Sequence, residues 1–118
     1  MEELTHFKHD EFRCTCCPAN EMVKTFLLMI DYARGVAGVP FKITSGYRCQ
    51  QHNAMVGGVS SSSHTRGWAA DIACDTSRER FAIVNGLIEA GFTRIGIADT
   101  FIHVDCDPAK PEEVMWVY

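Results

Sequence analysis

Apolar side chains recur at Val23, Phe26, Leu27, Ile30 and Ala33, the i, i+3, i+4, i+7 spacing that gathers them on one face of an α-helix. Asn20 stands where an N-cap belongs and Gly38 where such a helix would stop. The pattern then changes to VPFKITSG, a strand over 39–46 that ends in a turn at Ser45-Gly46. YRCQQHNAMV (47–56) reads as a short helix closed by the Gly57-Gly58 turn, and VSSSSHTRG as a flexible loop. The next strand is WAADIAC, over 68–74. Thr76 followed by Glu79 forms a capping box for a second long helix, with Phe81, Val84, Leu87 and Ile88 on one face and Gly91 at its end. FTRIGIA (92–98) and TFIHVDC (100–106) read as two strands of a hairpin around Asp99-Thr100. Helices and strands mixed in this order, joined by short turns, predict an α+β fold: a small, mostly antiparallel sheet with flanking helices.

Strand alternation exposes an anomaly. In 68–74, Trp68, Ala70, Ile72 and Cys74 point one way, while Asp71 lies on the other face between Ala69 and Ala73. In 101–106, Phe101, His103 and Asp105 share a face, opposite Ile102, Val104 and Cys106. Two such faces side by side would unite Asp71, His103 and Asp105, with His64 arriving from the preceding loop. Burying these groups unpaired would cost several kcal/mol, so something must compensate them. A divalent metal does so economically. Two imidazoles, one carboxylate and a water make the open tetrahedral site of catalytic zinc, and imidazole ligation disfavours calcium and magnesium. Taken singly, each residue has a plainer reading: a lone histidine and aspartate are most often a surface pair or a satisfied hydrogen bond. Cys74 and Cys106 read as small buried hydrophobes, His6 and His9 as solvated, and His52 as a packing or capping residue on the short helix of Arg48.

Composition narrows the setting. A chain of 118 residues suits one domain (1–118), with a cysteine-containing N-terminal segment over 1–19. A net charge of −4 without a basic cluster excludes a nucleic-acid footprint, and no apolar run approaches the ~18 residues of a membrane span. MEELTHFKHDEF lacks the basic start and apolar core of a signal peptide, so synthesis in the cytoplasm is expected. Six cysteines permit three disulfides in 15 pairings. In a reducing compartment free thiols come first, a disulfide to Cys49 second and a second metal third, because C-x-C-C in FRCTCCPAN departs from the usual C-x2-C knuckle.

SGYRCQQHNAMVGGVSSSSHTRGWAADI followed by GFTRIGIADTFIHVDCD resembles the zinc D,D-peptidases of the M15 class, in the short form common in bacteriophage genomes. The matching pattern covers roughly residues 41 to 107. The resemblance implies a fold shared with hedgehog-type signalling domains and murein peptidases, with His64, Asp71 and His103 as zinc ligands. It also implies that Arg48 holds a substrate carboxylate or polarised carbonyl. Ser63 would bind substrate or orient the loop, Asn53 would fix the local backbone, and Gly67 and Ala69 would let the loop approach the metal. Many relatives carry a catalytic carboxylate three residues before the second histidine, where this chain has Thr100. Two candidates replace it: Asp105, as general base or as a group orienting a ligand, and Asp99, if the hairpin is distorted.

The implied activity is amide hydrolysis in the stem peptides of bacterial peptidoglycan, by a D,D-carboxypeptidase or an endolysin-like endopeptidase. The expected protein is a monomer without membrane insertion, acting on the cell wall in phage lysis or on a virion. The competing reading is a zinc-containing murein-binding or virion structural domain that does not cut.

Overall fold

The computed structural model describes residues 4–59 and 62–118. Its five strands are β1 (Ile43–Ser45), β2 (Ala69–Ala73), β3 (Arg94–Ile97), β4 (Phe101–Asp105) and β5 (Val114–Val117), in the spatial order β1-β2-β4-β3-β5. All pairings are antiparallel except β3 with β5, which run parallel. The helices are α1 (Lys24–Ala37), the short α2 (Gln50–Met55) and α3 (Ser77–Glu89), with single 3-10 turns at His9–Phe12 and Ser63–Arg66. This is the expected α+β architecture with a mostly antiparallel sheet. Among the described residues no helix is long and apolar enough to cross a membrane.

One face of the sheet is covered by α1 and α3. Ala70 and Ile72 of β2, Ile95 of β3, and Ile102 and Val104 of β4 pack with Phe26, Leu27 and Ile30 of α1 and Ile83 and Leu87 of α3. Alternation along the strands therefore turns the other residues, Asp71, His103, Asp105 and Gly96, toward the opposite face. The helix layer provides the hydrophobic stability, and the site lies on the sheet face that the helices leave uncovered.

Several local expectations change. Asn20 does not cap α1: its amide donates to the His9 carbonyl at 2.8 Å, and the helix begins only at Lys24, after an extended Val23. The Val23 N–H is taken by the Gly67 carbonyl at 3.0 Å, so tertiary pairing sets the helix start. Gly38 does end α1, in the left-handed conformation. Thr76 caps α3 by accepting from the Glu79 N–H at 3.1 Å, but the Glu79 carboxylate reaches back to Asp75 rather than Thr76. The inward face of α3 also differs from the expected one. Phe81 and Ile88 are exposed, while Ile83, Gly86 and Leu87 are buried. The reason is Gly86, where a Cβ would lie 2.4 Å from the Ala33 carbonyl oxygen. The helices cross backbone to backbone at that point, and the bulky residues are rotated aside.

The 39–46 strand shortens to β1, and α2 begins after Arg48, so Arg48 and His52 do not share a helix. Gly67 does allow a close approach, but its neighbour is Glu21 rather than the metal centre: a Cβ there would lie 2.1 Å from the Glu21 carbonyl oxygen. The final strand, β5, lies outside the elements expected from the sequence, although its run VMWV has the β-branched and aromatic content of a strand.

Candidate metal centre

A single cross-strand row organises the site: Asp71 of β2 faces His103 of β4, which faces Gly96 of β3, which faces Trp116 of β5. His64 comes from the 3-10 turn just before β2. Ser62 caps that turn by accepting from the His64 N–H at 3.2 Å, and the His64 carbonyl accepts from Arg48 N–H at 3.2 Å. The serine loop thus ends in a fixed turn, with Ser62, Ser63 and His64 all buried. Ser60 and Ser61 lie outside the described residues.

Asp71 Oδ1 is 2.9 Å from His103 Nδ1 and 3.4 Å from His64 Nε2, and the two imidazole rings meet edge to face at 5.2 Å. The far nitrogen of each ring is anchored. His64 Nδ1 lies 2.8 Å from the Gly46 carbonyl, which can only accept, so Nδ1 donates there and Nε2 is the nitrogen turned toward Asp71. His103 Nε2 lies 2.7 Å from Asp105 Oδ2. A backbone carbonyl and a carboxylate holding the outer nitrogens of two histidines is the usual support of metal-ligating imidazoles. The three ligating atoms lie within 4.8 Å of one another. Two imidazoles and one carboxylate suit zinc and leave a coordination position for water or substrate.

Asp105 is fully buried, and both its oxygens are engaged. Oδ2 receives His103, while Oδ1 receives Arg94 Nε at 2.7 Å and the Asp107 N–H at 3.2 Å. Burial alone would raise its pKa, but the imidazole, the Asp107 N–H and the Arg94 guanidinium together lower it. For Asp71, burial likewise raises and the two histidines more than offset it, holding the carboxyl well below the usual range. His103 moves the other way: burial disfavours its charge, yet Asp105 and Asp71 outweigh that and raise its pKa. Asp105 thus sits on the side of His103 away from the ligating atoms.

Arg48 reaches the same centre from the segment between β1 and α2. Its Nη2 is 3.6 Å from Asp71 Oδ2, its Nε donates to Ser45 Oγ at 3.0 Å and its Nη1 to Asn53 Oδ1 at 3.2 Å. Asn53, buried, also donates to the Val59 carbonyl at 2.7 Å and so ties α2 to the loop that follows it. Ser63 Oγ donates to Asp107 Oδ2 at 2.7 Å and receives Lys110 Nζ at 2.9 Å. Asp107 is also gripped by both terminal nitrogens of Arg66. Ser63 is therefore tied to Asp107 and Lys110, and it also lines the cavity above the centre. Asp99 lies exposed in the β3–β4 turn, outside the cavity. The hairpin is regular, with Ala98 N–H donating to the Phe101 carbonyl at 3.0 Å, so the distortion needed to bring Asp99 inward is missing.

A cavity of about 400 Å³ opens over these groups, walled by Phe101, Trp116 and Tyr118. Sequence reasoning missed this wall, and Arg94 and Lys110 with it. Alternation in FTRIGIA places Arg94 and Gly96 on one face and was the available signal for Arg94. Gly96 has a specific use. A Cβ there would come within 2.5–2.8 Å of the Trp116 indole, which lies across the glycine with its ring 5.7 Å from that of His103. Gly96→Ala is expected to displace Trp116 and destabilise the fold by ~1–3 kcal/mol through overpacking. Tryptophan fluorescence and thermal unfolding check this, and an unchanged emission spectrum would contradict it.

The sequence profile of the family Peptidase M15 matches residues 3–105. The chain belongs to the peptidase M15 family. It is accordingly placed among zinc-dependent metallopeptidases, with a peptide-containing substrate. Comparison with curated proteins returned no match. Strand faces place Asp71 and His103 together, the resemblance adds His64 as the third ligand, and the structure brings all three side chains within reach of one another.

A pH dependence follows for the metal-free M15 chain. The folded pKa of His103 is raised, so its charged form stabilises the fold fully below the unfolded value of ~6.5, and that contribution is lost as pH rises through the folded value. Metal ligation needs the neutral ring. Zinc uptake by the His64–Asp71–His103 site is therefore expected to release protons near pH 7 and to tighten as pH rises. Calorimetric titration in buffers of different ionisation enthalpy measures the release, and a buffer-independent heat would refute it.

Proposed function

We propose that this M15 peptidase hydrolyses an amide bond in the peptide stem or cross-link of bacterial peptidoglycan, acting as a D,D-carboxypeptidase or endopeptidase. The observation that carries the reading is the ligand trio, with both outer imidazole nitrogens anchored, opening into a cavity that also holds the Arg48 guanidinium. His64, Asp71 and His103 would hold zinc, which when bound supplies the Lewis acidity that activates water and polarises a scissile carbonyl.

The remaining roles fall to the chain's own groups. Asp105 accepts from His103 Nε2 and fixes the ring so that Nδ1 faces Asp71. Gly46 does the same for His64 through its carbonyl. Arg48, steered by Ser45 and Asn53, places a cation where a substrate carboxylate or a developing oxyanion can be held. Phe101, Trp116 and Tyr118 give the cavity an apolar side that excludes water from the bound peptide. Action on the cell wall, during phage lysis or from a virion, is the biological setting this substrate would require.

Purified protein incubated with peptidoglycan tests the reading. Release of free D-alanine indicates the carboxypeptidase, and splitting of cross-linked muropeptide dimers the endopeptidase. Either product should vanish with chelator and return with zinc. If neither forms in zinc-saturated protein, hydrolysis of peptidoglycan is excluded, and retention on insoluble peptidoglycan would then identify a binding domain.

A further inference from the structure

Away from the His64–Asp71–His103 centre, four cysteines converge. Cys14, Cys16 and Cys17 of the N-terminal segment and Cys49, just before α2, bring their sulfurs within 4.8 Å of one another. The closest separations are 3.4 Å for Cys16–Cys49, 3.5 Å for Cys14–Cys16 and 3.7 Å for Cys14–Cys49. All six cysteines are free, so the pairing of one of these with Cys49 is not formed. A disulfide would in any case join two sulfurs and leave the others without a reason to gather.

Four thiolates at Zn–S distances of ~2.3 Å occupy the corners of a tetrahedron whose edge is ~3.8 Å. Three of the sulfurs already form a triangle close to that edge length. The surroundings support the same arrangement. The 14–19 loop is closed by Cys14 N–H donating to the Ala19 carbonyl at 2.8 Å, and Arg13 Nη1 donates to the carbonyls of Cys14 and Cys17, each at 3.3 Å. Cys49 Sγ accepts from the His52 N–H at 3.3 Å, a sulfur serving as the N-cap of α2. The cluster spans the surface: Cys14 is buried, Cys17 and Cys49 are half-buried and Cys16 is exposed, so an ion has a way in. Cys74 and Cys106 stand apart from it, as expected of cysteines that only pack.

We propose that Cys14, Cys16, Cys17 and Cys49 form a second, structural metal site that binds a tetrahedral thiophilic cation, zinc in particular. Its position gives it a task. It clamps the N-terminal segment onto the stretch carrying Gly46 and Arg48, both of which face the first metal centre. Gly46 already lies against Phe12 so tightly that a Cβ would meet the Phe12 carbonyl oxygen at 2.6 Å, and Tyr47 N–H donates to that carbonyl at 2.7 Å. A metal bridging Cys49 to Cys14, Cys16 and Cys17 closes the adjoining end of this contact.

Metal counting on the intact chain, purified under reducing conditions, tests the site without reference to activity. Wild-type protein should hold two zinc ions by plasma mass spectrometry. Titration with p-hydroxymercuribenzoate should release one of them as four thiols are blocked. His64→Ala/His103→Ala should retain one zinc, and on cobalt exchange should show the intense thiolate-to-cobalt charge transfer and visible bands of a tetrathiolate centre. Cys16→Ser/Cys49→Ser should lose one zinc and melt at lower temperature, whereas Cys74→Ser should keep both. A metal-free His64→Ala/His103→Ala protein would overturn the proposal. So would an intact mass lighter by two hydrogens with no thiolate-bound metal. The histidine double variant and the mercurial titration stand even if the cysteine double variant fails to fold.

Discussion

His64→Ala is expected to remove zinc from the histidine–aspartate centre and peptidase activity with it. The side chain supplies one of three ligating atoms, and no other described histidine, cysteine or carboxylate joins that group to replace it. A catalytic metal contributes several kcal/mol of transition-state stabilisation, and each ~1.4 kcal/mol is a factor of ten, so activity should fall about 10³-fold. The fold should survive. The structural loss is the bond to the Gly46 carbonyl, worth about 1 kcal/mol, and the helix-covered face of the sheet is untouched. Activity on muropeptides, metal content and circular dichroism measured together check the prediction. A variant that keeps its zinc stoichiometry and its rate would remove His64 from the centre.

Asp105→Asn distinguishes the two roles open to that carboxylate. Asp105 touches His103 through the nitrogen that faces away from Asp71, and its other oxygen is held by Arg94 and the Asp107 N–H. A residue so placed is expected to act by positioning His103. The substitution should weaken zinc affinity by about 10–100-fold, with most of the activity returning at saturating zinc. It should also destabilise the chain by up to ~3–5 kcal/mol, since Arg94 would be left buried beside a neutral amide. The depressed pKa of Asp105 makes its contribution to stability complete above the unfolded value of ~3.9, and lost as pH falls through the lower folded value. The gap between wild type and variant should therefore be wide at pH 7 and close in acid. Zinc affinity comes from competition with a chromophoric chelator. If the variant binds zinc as tightly as wild type and remains inactive when saturated, Asp105 carries the proton in the reaction instead.

Much of the metal centre was legible because it depends on side-chain periodicity. Asp71 among alanines and His103 beside Asp105 are visible as soon as strand alternation is applied, and the short hairpin around Asp99-Thr100 leaves little freedom in pairing β3 with β4. The body of α1 was equally plain, since Phe26, Leu27, Ile30 and Ala33 at helical spacing have few alternatives. Where the reading failed, contacts distant in sequence decided the outcome. The face of α3 followed Gly86 against Ala33, and the start of α1 followed Val23 against Gly67. Neither pair is visible in a window of local propensity.

The sequence by itself determined the α+β class and the polar and apolar faces of β2 and β4, with Asp71 and His103 on the polar ones, because period-two alternation and short connections are local properties of the chain. Tertiary structure alone decided the rest. It put the terminal strand β5 beside β3, in parallel, so that Trp116 crosses Gly96 to reach His103. It turned Asp105 behind His103 and left Asp99 in the turn. It carried Cys49 across to Cys14, Cys16 and Cys17, a meeting between positions more than thirty residues apart. Such meetings depend on how the layers pack, and side-chain periodicity carries no record of which distant segments will become neighbours.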